Sequence, residues 1–363
     1  MADGNAAGGL DGVVAAETVL SEVDGVDGRL IIRGHPLDTL AGRFRYEQLI
    51  GLLFHDFFPG LPEEAEIARR LGRARAEVFD LCAAIPETLP PVDALQAALA
   101  QVEDGDDLAT ALCLIAVPAV MTPLHQRRAA GLPPVAPDPA KRHAADVLAM
   151  LRGANAGDDA DALDTYLVTV ADHGLNASTF AARVVASTRA GLKSCALAGL
   201  GALKGPLHGG APGPVIAMLD AIGTPERAPG WIEDALDRGE RIMGFGHRIY
   251  RVRDPRADAL KAALRRLTTT DAQRNARLRF AEAVEHAALE TLERRKPGRA
   301  LATNVEFYTA LLLEALGFAP SAFTAVFAMG RIAGWLAHAR EQVSTGRLIR
   351  PQSRYIGPRP GID

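Results

Sequence analysis

Residues 205–214 read Gly205-Pro206-Leu207-His208-Gly209-Gly210-Ala211-Pro212-Gly213-Pro214. Glycine is costly inside a helix and proline lacks the backbone donor a helix needs, so regular structure is expected to break here. Helical periodicity lies on both sides. Val215, Met218, Leu219 and Ile222 follow at helical spacing, and upstream Glu47 to Phe57, Glu63 to Leu71, Val92 to Val102, Leu108 to Val117 and Arg142 to Leu151 repeat apolar residues every three or four positions. The spacing predicts a mainly helical protein with a domain boundary near residue 205. A chain of 363 residues suits one large domain and a smaller one.

The main strand signal is near the N-terminus. Val13 to Leu20 and Arg29 to Ile32 are apolar segments separated by Asp24-Gly25 and Asp27-Gly28, which predicts a small β-hairpin. Residues 1–11 are small or polar and are expected to be disordered. Leu108 to Leu124 is uncharged but contains Pro118 and Pro123, which predicts a buried core helix interrupted by proline rather than a membrane span. Proline-rich 131–140 and acidic 153–161 read as loops, and 346–363 as an extended arm.

Composition narrows the function. Apolar residues make up 48% of the chain and the net charge is −4, which gives no reason to expect nucleic acid or a charged membrane surface as partner. Cys82, Cys113 and Cys195 are dispersed, with no disulfide framework, so a reducing cytoplasm is the expected setting. The N-terminal residues do not have the form of a signal peptide. No metal-ligand spacing, Walker loop or nucleophile elbow is present, so no metal is expected.

Several segments hold chemistry-bearing residues. In 205–211 the glycines let a ligand approach His208, and the helix start just downstream disfavours imidazolium. A neutral histidine there can donate a hydrogen bond to an enolate oxygen, the same physics that triosephosphate isomerase uses. A glycine-rich turn with an incidental histidine reads equally well from this segment alone. Met243 to Arg256 holds His247 and four arginines, including Arg251 and Arg256, among flexible glycines that include Gly246 next to Phe245. Asp254-Pro255 is a helix start that leaves Arg256 in a first turn unfavourable to cations, which points to a bound polyanion. A solvated basic turn is the alternative.

Ala171 to Thr179 places His173 at a junction between two amphipathic helices, with Gly174 as the break and Asn176 or Ser178 as the next cap. A satisfied core histidine is the plainer reading there. Asn304-Val305-Glu306-Phe307-Tyr308 sends one carboxylate, Glu306, into an apolar helix, where it suits a general base of raised pKa and equally a cap or a salt bridge. Arg331, one turn from Phe327 and Trp335, calls for a buried anion unless its head snorkels to solvent.

In succession, Asp172 to Ser178, Gly205 to Gly210, Gly244 to Arg248 with Asp254 to Arg256, and Asn304 to Tyr308 resemble citrate synthases. The likeness extends from Glu17 through Arg33-Gly34 to Gly334-Trp335 and Leu348 to Pro351. It implies an all-α two-domain fold with a small N-terminal β-hairpin. Residues 12–207 and 308–363 would form the large domain and 208–307 the small one. It further implies condensation of acetyl-CoA with oxaloacetate, and a homodimer with Arg350 reaching the partner's site. His208, His247 and Glu306 would be catalytic. His173, His247, Arg256, Arg331 and Arg350 would hold oxaloacetate, while Phe245, Gly246, Arg251 and Asn304 would serve CoA. No tightly bound cofactor is implied, since acetyl-CoA is a co-substrate. Glu306 replaces the family's usual aspartate, and Pro212-Gly213 its usual Asn-Glu; both resemble a bacterial subset. Two rivals follow: a 2-methylcitrate synthase using propionyl-CoA, and a silent paralogue that binds CoA or a dicarboxylate.

Overall fold

The computed structural model describes Leu10 and residues 12–209, 212–247, 249–268 and 271–358. The expected disorder of residues 1–11 falls almost wholly outside that set, as do Gly210, Ala211 and Arg248 of the motifs above.

The first regular element is an antiparallel sheet of β1 (Ser21–Asp24), β2 (Arg29–Ile32) and β3 (His35–Pro36), in that order. It corrects the expected hairpin, because Val13 to Leu20 is not its first strand. The Asp24 Oδ1 accepts from Val26 N and Asp27 N, both at 2.9 Å, so the turn starts at Asp24. Register then pairs Asp24 with Arg29 and Ser21 with Ile32. Val13 and Val14 remain exposed.

Helices make up nearly all the rest. α1 (Leu37–Leu40), α2 (Tyr46–Phe54), α3 (Glu64–Ala83), α4 (Pro91–Gln101), α5 (Leu108–Ala129), α6 (His143–Arg152), α7 (Asp159–Val170), α8 (Ala177–Ala186) and α9 (Gly191–Leu203) precede the glycine–proline stretch. α10 (Pro212–Ile222), α11 (Ala228–Asp237), α12 (Pro255–Thr268), α13 (Ala272–Arg295), α14 (Val305–Ala315) and α15 (Phe323–Thr345) follow it. Side chains of Asp107, Asn176, Asp271 and Asn304 accept backbone N–H groups at the starts of α5, α8, α13 and α14, supplying partners the first helical turn lacks.

The expected proline break in α5 does not occur: the helix runs through Pro118 and Pro123, both buried. Each proline costs one intrahelical bond, and dense packing against α3, α4, α6, α9 and α15 offsets that loss. By length and composition α5 is apolar enough to cross a bilayer, yet 72% of its most apolar window is buried inside the protein.

α15 is the centre of the core, packed against α2, α4, α5, α7, α8 and α9. It approaches the end of α7 so closely that a Cβ at Gly334 would lie 2.1 Å from the Ala171 carbonyl oxygen. This contact brings the segment after α7 against α15. A second group, α11 on α13, α12 on α13 and α14, and α10 on α14, joins the first where α12 meets α7.

Candidate active site

Four segments meet where α7, α12, α14 and α15 converge. The first links α7 to α8. Asn176 is the cap, its Oδ1 accepting from Ser178 N and Thr179 N at 3.1 Å. His173 is buried, its backbone N–H donating to Asp172 Oδ1 at 2.9 Å. Its Nε2 lies 3.1 Å from the Tyr250 hydroxyl. Burial, then the charges of Arg256 and Arg331, hold its pKa well below the ordinary histidine value, so the ring is neutral.

The second segment carries His247 and Arg256. Asp254 caps α12 as the sequence predicts, its Oδ1 accepting from Arg256 N at 3.0 Å. The same carboxylate holds the Arg256 guanidinium, with Nη2 at 2.8 Å from Oδ2. His247 Nδ1 accepts from both Ile249 N and Tyr250 N at 3.0 Å, which leaves the ring proton on Nε2. Burial and then Arg256 push His247 down to about 4. Its Nε2 and Arg256 Nη2 are 3.2 Å apart, and both are donors. Neither satisfies the other, so the pair suits a shared acceptor, such as a carbonyl or carboxylate oxygen. His173 and His247 rings are 5.8 Å apart, and Tyr250 lies against both.

Third, Arg331 is only 1% exposed. Its Nε donates to the Val170 carbonyl, and its guanidinium stands 5.0 Å from the Phe327 ring centre. Burial lowers its pKa to about 10; Asp172 works against that fall and Arg256 adds to it. Two desolvated guanidiniums that feel each other's charge repel, a cost that a dicarboxylate between them would reverse. His208 also lies against Phe327, edge-on with ring centres 6.4 Å apart. Its Nε2 is 2.8 Å from Ser178 Oγ, and that oxygen accepts from Trp335 Nε1 at 3.1 Å. Burial, then Arg331 and Arg256, brings His208 down to about 4, so it too is neutral near pH 7.

Fourth, Asn304 starts α14, its Oδ1 accepting from Glu306 N at 3.0 Å and its Nδ2 donating to the Gly246 carbonyl at 2.8 Å. A bridge between Phe245 and Thr303 also ties these segments. Glu306 thus enters the cluster beside Arg256. Burial raises its pKa to about 7, with Arg256 and Arg241 pulling the other way. A carboxylate poised near neutral pH suits general-base work. The Phe245 ring is buried against Phe307, 5.4 Å between centres, so it is the backbone around Gly246 that borders the cluster.

Two predicted residues stand apart from the cluster. Arg251 is exposed and lines a cleft of about 730 Å³ with Gly298, Arg299 and Ala300. Arg350 is exposed on the extended segment after α15, where neighbouring Ile349 N donates to Ser187 Oγ at 3.1 Å. A separate cavity of about 590 Å³, lined by Arg33, Phe44, Gln48 and His55 among others, shares none of the predicted site residues. Among the described residues no group of three or more His, Cys, Asp or Glu side chains is arranged to hold a metal.

Sequence reasoning missed Ser178 and Tyr250 as site residues and the second role of Asp254. Tyr250 sits inside the basic segment and was legible there as an aromatic next to His247. Ser178 has no local signal, because its partners Trp335 and His208 are distant in sequence.

The chain matches the family model described as citrate synthase, C-terminal domain, over residues 9–352. It belongs to the citrate synthase family. Among its relatives, the putative citrate synthase 2 of Mycobacterium tuberculosis is 38% identical over 97% of this chain and 93% of its own length. A 2-methylcitrate synthase of the same organism is 37% identical, over 96% and 90%. A solved citrate synthase from Thermoplasma acidophilum, in ternary complex with carboxymethyl coenzyme A and oxaloacetate, superposes with a TM-score of 0.83 at 28% identity, covering 96% of this chain and 95% of that one. The helical architecture with its small N-terminal sheet is the citrate synthase fold, and this family member is an enzyme of the acyltransferase type.

Proposed function

We propose that this citrate synthase homologue condenses acetyl-CoA with oxaloacetate and water, giving citrate and CoA. The observation that carries the reading is the convergence on Arg256 and Arg331 of neutral His173, His208 and His247 and one carboxylate of raised pKa. Arg256 and Arg331 take the carboxylates of oxaloacetate, with His173 beside them. His247 Nε2 donates to the keto oxygen as it becomes an alkoxide. His208 stabilises the thioester enolate by donating from its other ring nitrogen, Nδ1, with the Ser178 hydroxyl turned to donate to Nε2.

Glu306 removes the α-proton. A thioester α-proton is so weakly acidic that a carboxylate can take it only if the enolate is stabilised as it forms. The cleft at Arg251 receives CoA phosphates, with Gly246, Phe245 and Asn304 shaping the path of the pantetheine arm. Residues 12–207 with 308–363 and residues 208–307 act as two domains that close over the substrates and exclude water. Two chains form a cytoplasmic homodimer of the tricarboxylic acid cycle, with Arg350 completing the partner's oxaloacetate site.

One observation favours a second reading, the near-equal identity to a 2-methylcitrate synthase. A pocket discriminates one methyl by only about 1–3 kcal/mol, so the two activities can coexist. Thiol release by the purified protein, with oxaloacetate and either acetyl-CoA or propionyl-CoA, tests the proposal. A higher kcat/KM with acetyl-CoA is expected. A propionyl preference establishes the second reading, and no oxaloacetate-dependent release leaves only a silent binding protein.

A further inference from the structure

Strand β1 touches both loops that hold the paired histidines. The residues leading into it are anchored on α15, where Val19 N donates to Glu341 Oε1 at 2.8 Å. Ser21 Oγ then accepts from Gly174 N at 2.9 Å, one residue beyond His173. Val23 packs so near that loop that a Cβ on Gly174 would lie 3.3 Å from its methyl.

The far end of β1 meets the other loop. The Gly25 carbonyl accepts from Arg251 N at 2.7 Å. A Cβ on Gly25 would lie 2.4 Å from the Ile249 carbonyl oxygen, and one on Gly28 2.7 Å from a Val252 methyl. Two glycines therefore let the β1–β2 turn sit flush on residues 249–253. The turn is held in shape by its own Asp24, which accepts from Val26 N and Asp27 N and pairs with Arg29. The residues it touches flank Tyr250, and Ile249 N and Tyr250 N are the two donors that fix the His247 ring.

We propose that β1 and its turn are a strap that sets the spacing of the His173 and His247 loops, with Ser21 and Gly25 as positioning residues for the keto acid. The inference rests on the oxaloacetate reading above. A shift at Ile249 moves both donors on His247 Nδ1, and so turns its Nε2 away from the acceptor it shares with Arg256. Gly25 is not among the glycines with positive φ, so alanine there adds a clash with the loop and no backbone strain of its own.

The test compares Gly25→Ala and Ser21→Ala with Gly34→Ala. Gly34 has φ +82° and no heavy atom within 4 Å of an added Cβ, so its variant strains the sheet without touching either loop. Oxaloacetate affinity is read by calorimetry, KM for each substrate by thiol release, and stability by thermal melting. Misplacement on the order of 1 Å can cost about a hundredfold, so the expectation for Gly25→Ala is about a tenfold weaker oxaloacetate Kd, with acyl-CoA KM changed less than about twofold. Ser21→Ala is expected to move in the same direction by less, and Gly34→Ala to lower the melting temperature with native affinity. Native oxaloacetate affinity in both Gly25→Ala and Ser21→Ala overturns the strap, as does an equal affinity loss in Gly34→Ala. Because calorimetry needs no turnover, a native protein that binds oxaloacetate but releases no thiol defeats the condensation reading and leaves the strap to be judged by the same affinities.

Discussion

Two buried polar clusters share helix α15, and they are completed differently. Towards its C-terminal end, Arg183 donates to Glu341, to Gln342 Oε1 at 3.0 Å and to His338 Nδ1 at 2.9 Å. His338 Nε2 in turn donates to Asp172 at 3.2 Å. Burial works to raise the Asp172 carboxyl, but His338 holds it below the usual aspartate value. Two turns earlier on the same helix, Arg331 is equally buried, yet its described partners are one backbone carbonyl and one aromatic ring. The first cluster is closed on itself. The second keeps donors in reserve, and Glu306 beside Arg256 keeps a carboxylate in the same condition. A buried charge whose partners are all protein serves the fold; one left with spare donors serves a ligand.

Substitution can break that distinction. The largest effect is expected from Glu306→Gln, which should lower the condensation rate about a thousandfold by removing the base while leaving the protein folded. The native enzyme should lose rate as pH falls through about 7, because the base must be ionised. The same group has a folded pKa above its unfolded value, so its stabilising contribution is complete below the unfolded pKa and is lost as pH rises through about 7. Glu306→Gln should therefore gain thermal stability relative to the native protein at pH 8 and not at pH 4. An unchanged rate in that variant, or a pH profile flat from 6 to 8, removes Glu306 from the role of base.

Next comes Arg183→Leu, which strands Glu341 and should cost about 3–5 kcal/mol in urea unfolding. Its folded fraction should keep native oxaloacetate affinity. Smallest is Arg331→Leu, expected to weaken oxaloacetate binding about a hundredfold, close to 3 kcal/mol, with no loss of unfolding free energy. If Arg331→Leu unfolds the protein as readily as Arg183→Leu, the two clusters are alike and the contrast fails.

Local chemistry made much of this architecture legible. Asp254-Pro255 and Asn176 announce their helices, and the glycine–proline stretch interrupts the helices over residues 205–209, although α10 already begins at Pro212 within it. Misreadings arose where distant packing decides the outcome. The first strand begins at Ser21 because the Asp24 turn sets the register, although Val13 to Leu20 is the more apolar segment. α5 continues through two prolines because neighbours cover it. Within the site, His173, His208, His247, Arg256, Glu306 and Arg331 were all visible as residues in unusual settings. Their common meeting point was not, since it depends on contacts such as that of Arg331 with Val170, 161 positions apart. Ser178 and the Asp172–His338 pair were hidden for the same reason.

The central place of α15 also bears on how the chain is made. The helix that α2, α4, α5, α7, α8 and α9 all pack against is synthesised after every one of them, and the Tyr46 hydroxyl bonds to a carbonyl 283 positions later, that of Met329. At about 5–20 residues per second, a ribosome needs many seconds to deliver residues 323–345 after α5 has emerged. During that interval 22 residues of largely apolar α5 have no α15 to cover them. Nascent chains stalled before residue 323 should accordingly be clients of chaperones and proteases, so a stop codon there would remove the protein itself and not merely its activity.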